Sequence, residues 1–213
     1  MCGRMTLHDE AQLLELLETH FEIENAAFHD LPRYNIAPKQ KLWTIIFDGQ
    51  KYRVGQISWG MMVQTKDKSY FNMNAKKESL ETFYYFKNLY QNKRCLIMLD
   101  GYYEWQDQGD YKQPFYLHDK HNQTMLVAGL YNKDTEGFHV TLMTQKPMDQ
   151  IKHIHHRMPV ILTPDDAIRY LKQGTLPKTS TLELNYYEVT TKVNQVKTDD
   201  PSLIEAYDPF IYG

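Results

Sequence analysis

Residues 94–105, RCLIMLDGYYEW, are the stretch that decides the fold of this chain. The apolar run from Cys95 to Leu99 predicts a buried strand that continues to Trp105, with Cys95 as a structural thiol. Three strand-like runs follow it: Gln113–His118, Thr124–Tyr131 and Phe138–Thr144. The centre of the chain is therefore predicted to be β-sheet.

The flanking sequence predicts further strands and helices. The strands are Lys41–Phe47, Tyr52–Trp59 and Asn185–Thr191, and the helices are His8–Phe21, Lys77–Phe83 and Pro164–Leu171. Asp48-Gly49 joins the first two strands as a hairpin, and Thr163 caps the third helix. A chain of many strands and few helices predicts an α+β fold with a curved, barrel-like, mostly antiparallel sheet and short flanking helices. No repeat or linker composition interrupts it, so we expect a single domain over residues 1–213.

Composition excludes several classes of protein. Apolar residues make up 42% of the chain and charged residues 24%, as in soluble globular proteins. No apolar run approaches the ~20 residues that span a bilayer, and no signal peptide is recognisable, so we expect a cytoplasmic protein without a membrane partner. Two cysteines exclude a disulfide framework. Three histidines at 153, 155 and 156 lack a supporting metal motif, so neither a metal nor a cofactor is expected.

Positive charge is concentrated in the middle of the chain. Residues 31–95 hold 12 Lys and Arg against four acids, whereas residues 1–30 hold Arg4 against seven acids. Tryptophan, tyrosine and phenylalanine are interleaved with these lysines, which suits single-stranded nucleic acid. A solvated lysine face over a core of aromatic residues fits the same composition, and composition alone favours that interpretation.

The N-terminal sequence Met1-Cys2-Gly3-Arg4 suggests covalent chemistry. Removal of Met1 would leave Cys2 with an α-amine and a thiol on one residue. The amine can condense with an aldehyde, and the sulfur can then close a five-membered ring on the same carbon. Reference pKa values of about 7.7–8.0 for the amine and about 8.5 for the thiol make both partly available near neutrality. On these four residues alone, a cysteine that stands at position 2 by chance is an equally good explanation.

Schiff-base chemistry also needs a group that moves protons. Glu104 lies among aromatic neighbours, which disfavour its charged form and suit it to this task. Histidine is the other natural proton carrier near neutral pH, and an amide such as Asn74 can orient the amine without titrating. Each of these residues can also be interpreted as an ordinary structural residue in a turn or at the end of a strand.

Six short motifs together resemble the SRAP (SOS response-associated peptidase) family of abasic-site-processing proteins. They occur in the family's order as Met1–Arg4, Arg33–Pro38, Ser58–Gly60, Asn74–Lys76, Gly101–Trp105 and His155–Pro159. The resemblance runs from the first residue to about residue 194, which implies a SRAP-like core at about residues 2–195.

The resemblance implies a mechanism. The processed Cys2 would attack the C1 aldehyde of a ring-opened abasic deoxyribose in single-stranded DNA and form a thiazolidine crosslink that protects the strand from cleavage. Asn74 would position the nucleophile and Glu104 would shuttle protons. His155 would help to open the sugar ring and assist reversal. Self-cleavage that exposes the cysteine, and lyase-like or peptidase activity, are also attributed to the family.

The resemblance also suggests which residues bind DNA and which partners the protein has. Arg4 and Asn35 would line the DNA groove beside Cys2, and the other nominated contacts are Arg33, Pro38, Trp59, Lys76 and Lys77. We expect a monomer that binds single-stranded DNA containing abasic sites, with replication-fork proteins as candidate partners.

This sequence departs from the family pattern at three places. Lys76 stands where the family usually has arginine and loses the bidentate fork for phosphate. The stretch after Trp59-Gly60 lacks the family's proline and second tryptophan, and His156 replaces the acid that usually follows the histidine. Two other classes stay open: an N-terminal-nucleophile amidohydrolase that uses Cys2, and a non-catalytic DNA-binding module.

Overall fold

The computed structural model describes residues 2–178, 182–208 and 210, and within them it contains fifteen strands and three α-helices. The strands are β1 Met5–Leu7, β2 Arg33–Ile36, β3 Lys41–Phe47, β4 Tyr52–Trp59, β5 Met61–Gln64, β6 Ser69–Asn72, β7 Asn74–Lys76, β8 Arg94–Leu99, β9 Gly101–Asp107, β10 Lys112–Asp119, β11 Met125–Asp134, β12 Gly137–Gln145, β13 Met158–Pro159, β14 Ile161–Leu162 and β15 Leu184–Glu188. The helices are α1 Glu10–Phe21, α2 Tyr84–Asn92 and α3 Pro164–Gln173.

Five strands close into a barrel in the order β12-β4-β3-β8-β11, with β11 pairing back onto β12. All of these pairings are antiparallel except β12–β4. Strand β7 adds to β12 in parallel, and β13 and β14 pair with β12 and β11. The predicted α+β fold with a barrel-like, mostly antiparallel sheet is confirmed.

A second, open sheet stands beside the barrel in the order β15-β10-β9-β1-β2, and every pairing in it is antiparallel. Strands β5 and β6 form a separate hairpin. The prediction of one strand over residues 94–105 is wrong, because the chain leaves the barrel after β8 and enters the open sheet as β9.

Asp100 fixes the crossing between the two sheets. Its buried carboxylate accepts the backbone N–H groups of His8 and Asp9 and the hydroxyl of Thr124. Its own backbone N–H donates to Thr6 O at 2.9 Å. Charge-assisted bonds to a buried carboxylate are stronger than neutral ones, so this residue ties the first strand to the end of β8.

Local signals explain which helices were predictable. Asp9 caps α1 and Thr163 caps α3 through side-chain bonds to the first turn, and Gly174 ends α3 with a φ of 73°. The helix predicted at Lys77–Phe83 is wrong, since only a single 3-10 turn forms at Lys77–Ser79 and the α-helix begins at Tyr84. Only Phe86 and Leu89 of α2 are buried, so the helical spacing of apolar residues is a weak signal in this part of the sequence.

Residues 95–99 are almost completely buried in the barrel, as the sequence predicts for an apolar strand. Cys95 has a free thiol whose pKa is raised by burial, which makes it an unreactive packing group. Of the helices that the structure describes, none is long and apolar enough to span a membrane.

Candidate active site between the barrel and the open sheet

Cys2 lies at the edge of the open sheet and is fully buried. It lies three positions before the start of β1, which pairs with β9 through Met5 and Tyr102. The backbone N–H of Tyr103 donates to Arg4 O at 3.0 Å and continues this pairing toward the N-terminus. Strand pairing therefore holds Cys2 next to β9, the strand that carries Glu104.

Asn74 connects Cys2 to the barrel. Its Nδ2 donates to the carbonyl oxygen of Cys2 at 2.9 Å, and its side chain is buried. Strand β7 holds Asn74 opposite Leu142 of β12, and the indole N–H of Trp59 donates to Met73 O one residue away. The amide thus orients the backbone of Cys2 from the opposite sheet.

Glu104 is a buried carboxyl group beside the cysteine. Only 2% of the residue is exposed, and burial raises the pKa of its carboxyl to about 7. Burial also raises the pKa of the Cys2 thiol, and the nearby Glu104 carboxylate raises it further. Near neutral pH the thiol is therefore protonated, while Glu104 is available as both an acid and a base.

His155 faces Glu104 from the segment between β12 and β13. Its Nδ1 lies 3.7 Å from Glu104 Oε2. Burial lowers the pKa of the imidazole to about 4, so the ring is neutral at physiological pH. Its Nδ1 lies 3.1 Å from the backbone nitrogen and 3.2 Å from the carbonyl oxygen of Arg157, so the backbone of that residue holds the ring in place.

Arg157 attaches the His155 segment to the segment that follows Asn74. Its guanidinium forms a bidentate pair with Glu78 at 3.0 and 2.8 Å, and it also donates to Thr144 O at 2.7 Å. The Arg157 pair lowers the pKa of the Glu78 carboxyl. Sequence reasoning missed Glu78, although its position four residues after Asn74 could have drawn attention to it.

An open cleft of about 720 Å³ reaches Glu104 and His155, whereas Cys2 and Asn74 are buried behind them and are not part of its lining. Glu104, Trp105 and His155 line one part of it, and Lys112 and Asn194 contribute polar side chains. Trp105 donates from its indole nitrogen to Asn194 Oδ1 at 2.8 Å. The cleft is large enough for a sugar ring with its attached phosphate, since small-molecule sites begin at roughly 300 Å³.

Arg4 and Asn35 hold the C-terminal segment in place. Asn35 is fully buried, and its Nδ2 lies within hydrogen-bond distance of the carbonyl oxygens of Val193, Gln195 and Thr198. The Arg4 guanidinium donates to Asn35 Oδ1 at 2.7 Å and to Val193 O at 2.6 Å. Their contacts in this structure position residues 193–198 beside the cleft, and Asn35 has no surface for a direct contact with DNA.

The other nominated DNA contacts differ in their exposure. Trp59 is fully buried and Pro38 is half-buried, whereas Lys76 is exposed. Arg33 forms an ion pair with Asp199 at 2.6 Å, and Lys77 donates its Nζ to a backbone carbonyl at 2.6 Å. Among the described residues, no group of three or more His, Cys, Asp or Glu could hold a metal ion.

The model of the SOS response associated peptidase family (SRAP) matches residues 1–197 of this chain. This chain belongs to the SRAP family. It is 33% identical to the abasic site processing protein YoqW of Bacillus subtilis (strain 168), covering 97% of this chain and all of that one. It is 28% identical to the abasic site processing protein YedK of Escherichia coli (strain K12), covering 96% and 99%.

Solved structures share the fold. A phage-related protein from Bordetella bronchiseptica superposes with a TM-score of 0.68 at 26% identity, covering 88% of this chain and 94% of that one. A protein from Bacteroides thetaiotaomicron superposes with a TM-score of 0.73, covering 97% and 100%. Its identity of 19% supports the common fold alone.

Proposed function

We propose that this protein captures abasic sites in single-stranded DNA by forming a covalent bond through Cys2. The observation that carries the proposal is the convergence of four groups from distant segments. The Asn74 amide bonds to Cys2 O at 2.9 Å, Glu104 is buried beside Cys2, and His155 lies 3.7 Å from Glu104. Relatives that match nearly the whole chain are named abasic site processing proteins, which supports the same substrate.

The reaction begins once Met1 is removed, because a peptide bond otherwise blocks the Cys2 amine. Self-cleavage is the family's route to this step and is part of the proposal. The amine adds to the C1 aldehyde of the open sugar and gives a carbinolamine. The Glu104 carboxyl protonates the departing hydroxyl, so that water leaves, an iminium (protonated imine) forms and Glu104 is left as a carboxylate.

The thiol then closes the ring. The Cys2 sulfur bonds to the former aldehyde carbon, the electron pair of the C=N double bond moves to the nitrogen, and the thiol proton passes to the Glu104 carboxylate, which restores its acid form. The net reaction releases one water. Because the thiol pKa is raised by burial, this proton must leave as the sulfur attacks, which gives Glu104 a second task.

Ring closure explains why the sulfur is as necessary as the amine. An imine withdraws electrons and promotes β-elimination, which would break the strand. The thiazolidine has no iminium group and suppresses that elimination. We propose that Lys76 and Arg33 contribute phosphate contacts, with Arg4, Lys77 and Pro38 beside them, while Trp59 and Asn35 act by positioning. We further propose a monomer that meets its substrate where single strands arise, with replication-fork proteins as candidate partners.

Intact mass spectrometry tests this function. Protein that begins with a free Cys2 is incubated with a single-stranded abasic oligonucleotide, and we expect a gain equal to the oligonucleotide minus one water. Cys2→Ser should form an imine that borohydride traps but no adduct that survives heating. Cys95→Ser is the matched control, since that thiol packs inside the barrel away from Glu104.

The outcomes separate the proposal from its alternatives. No mass gain by the wild-type protein, or a heat-stable adduct from Cys2→Ser, would overturn the mechanism. Hydrolysis of amide substrates without DNA would indicate an N-terminal-nucleophile amidohydrolase. A DNA complex that does not survive denaturant, and that Cys2→Ala leaves unchanged, would indicate a non-catalytic binding module.

A further inference from the structure

A second cleft, of about 730 Å³, lies next to the segment that carries Asn74. Three lysines line it: Lys77, which follows β7, Lys146, which follows β12, and Lys178, which follows α3. Lys146 and Lys178 are exposed, and Lys77 is half-buried. Three elements that are distant in sequence therefore direct cations into one concave surface.

The carboxylates in this second cleft are already paired with other bases. Glu78 binds the Arg157 guanidinium, as described above, and Asp149 pairs with Lys152 Nζ at 3.1 Å. Glu78 also acts electrostatically on Lys77, so among the described residues it is Lys146 and Lys178 whose positive charge the acids of the cleft do not pair. Such a surface attracts an anionic ligand, and the attraction is strongest where the walls exclude water.

Hydrogen bonds hold the lysine-bearing segments in position. Lys77 Nζ donates to the carbonyl oxygen of Pro177 at 2.6 Å, which fixes the residue next to Lys178. Glu78 accepts the backbone N–H of Lys146, so the same carboxylate that binds Arg157 also anchors this wall. The cleft is thus attached to the elements that position Asn74 and His155.

The second cleft also lies at a suitable distance from the nucleophile. Lys77 lies three positions after Asn74, a span of about 10 Å in extended chain. A strand whose lesion reached Cys2 would bring its neighbouring phosphates to this surface. Phosphates repeat at regular intervals along the strand, so a single strand can place one phosphate against each of several separate cations.

We propose that this second cleft binds the phosphodiester backbone on one side of the lesion, with Lys146 and Lys178 as phosphate contacts. The inference rests on the proposed capture of abasic DNA. It adds two residues that lie outside the recognised motifs, and it makes the binding footprint asymmetric, because the lysines occupy only one end of β7.

Salt dependence of binding tests the proposal. The probe is a single-stranded oligonucleotide with a tetrahydrofuran abasic analogue, which cannot form an imine. In the double variant Lys146→Gln/Lys178→Gln, the slope of log K against log salt should become shallower by about 1.4, or roughly 0.7 per lost phosphate contact. If the two curves meet at about 1 M salt, affinity at about 0.1 M falls roughly 25-fold.

Lys51→Gln is the control, because Lys51 lies in the turn between β3 and β4, at the opposite end of that hairpin from Trp59. Its slope should match that of the wild-type protein. Oligonucleotides shortened on the 5′ or the 3′ side of the lesion add a second readout. Wild-type binding should weaken on removal of one flank only, and the double variant should lose that sensitivity.

Each result has a distinct meaning. An unchanged slope in the double variant, or equal sensitivity of the wild-type protein to both flanks, overturns the lysine cleft while leaving covalent capture intact. Failure of the wild-type protein to crosslink the authentic abasic oligonucleotide refutes the proposed function itself. Thermal unfolding of both variants at the wild-type temperature excludes a folding defect as the cause of weakened binding.

Discussion

Replacement of Glu104 by glutamine should stabilise this protein at alkaline pH while slowing its chemistry. The Glu104 carboxyl is 2% exposed, and its pKa rises from an ordinary value near 4.5 to about 7. At about 1.36 kcal/mol for each pH unit between these values, the carboxylate costs the folded state about 3 kcal/mol once it is ionised. Glutamine has a similar shape and never carries this charge.

The direction of the pH dependence follows from proton binding. Below pH 4.5 both the folded and the unfolded chain keep the Glu104 proton, and its stabilising contribution is fully present. Between about 4.5 and 7 the unfolded chain releases this proton while the folded protein retains it, so stability falls as pH rises. The advantage of Glu104→Gln over the wild-type protein should grow across this window and level off above pH 7.

Urea unfolding at a series of pH values from 4.5 to 8.5 measures this difference. Glu188→Gln is a matched control, since Glu188 is an exposed carboxylate in the same cross-strand row, opposite Phe115, which in turn faces Glu104. The pKa of His155 is lowered by burial, which gives it the opposite pH dependence, so both proteins are also compared in a His155→Gln background.

Kinetics provide the second readout for Glu104. Crosslinking by the glutamine variant should be slower by about 10²–10⁴, the usual contribution of a general acid or base, and its pH–rate profile should lack the inflection near pH 7. A stability difference that stays flat across pH would show that Glu104 is not held as a neutral buried acid. Wild-type crosslinking rates in the variant would refute its role as proton shuttle.

Three further predictions can be tested separately. Asn74→Ala removes the 2.9 Å bond to the carbonyl of the nucleophile and should slow crosslinking at least tenfold with a stability loss of about 1 kcal/mol, as measured by single-turnover gels and urea unfolding. Arg157→Lys loses the bidentate pair with Glu78 and should slow crosslinking roughly 10- to 100-fold, and Glu78→Gln in the same assay should show no additional loss when the two are combined. Gly60→Ala should lower the thermal midpoint by several degrees, because Gly60 has a φ of 100° and its added Cβ would lie 2.0 Å from the Phe71 ring.

Features that depend on neighbouring residues were predictable from the sequence. The β3–β4 hairpin has the predicted limits because Asp48-Gly49 supplies the turn locally. Helix α3 begins at Pro164 as expected because Thr163 caps it, and it runs two residues past the predicted end to Gln173, where Gly174 ends it. These elements carry their own start and stop signals, so no knowledge of the rest of the fold was needed.

Features that depend on distant partners were not predictable. Nothing in residues 94–105 indicates that the chain changes sheets at Asp100, because the groups that bind its carboxylate come from the N-terminal segment and from Thr124. The short strand β1 likewise exists through pairing with β2 and β9, and β2 exists through pairing with β1. The sequence motifs pointed to the candidate site residues, but they could not predict the hydrogen bond from Asn74 to Cys2, because it depends on how the two sheets pack together.

That meeting of two sheets explains the chemistry of the site. The open-sheet side supplies Cys2 and Glu104, while the barrel side supplies Asn74 and the adjoining segment with His155. The four groups therefore lie between the two sheets, where each sheet shields the other from solvent. Burial there neutralises the imidazole and raises the pKa of the Glu104 carboxyl toward the working pH. The same burial opposes folding above pH 7, which an isosteric amide would relieve. A buried acid that destabilises the fold in this way is expected to be kept only because the reaction needs it. If stability and activity oppose each other at this residue, Glu104→Gln must be both more stable and inactive.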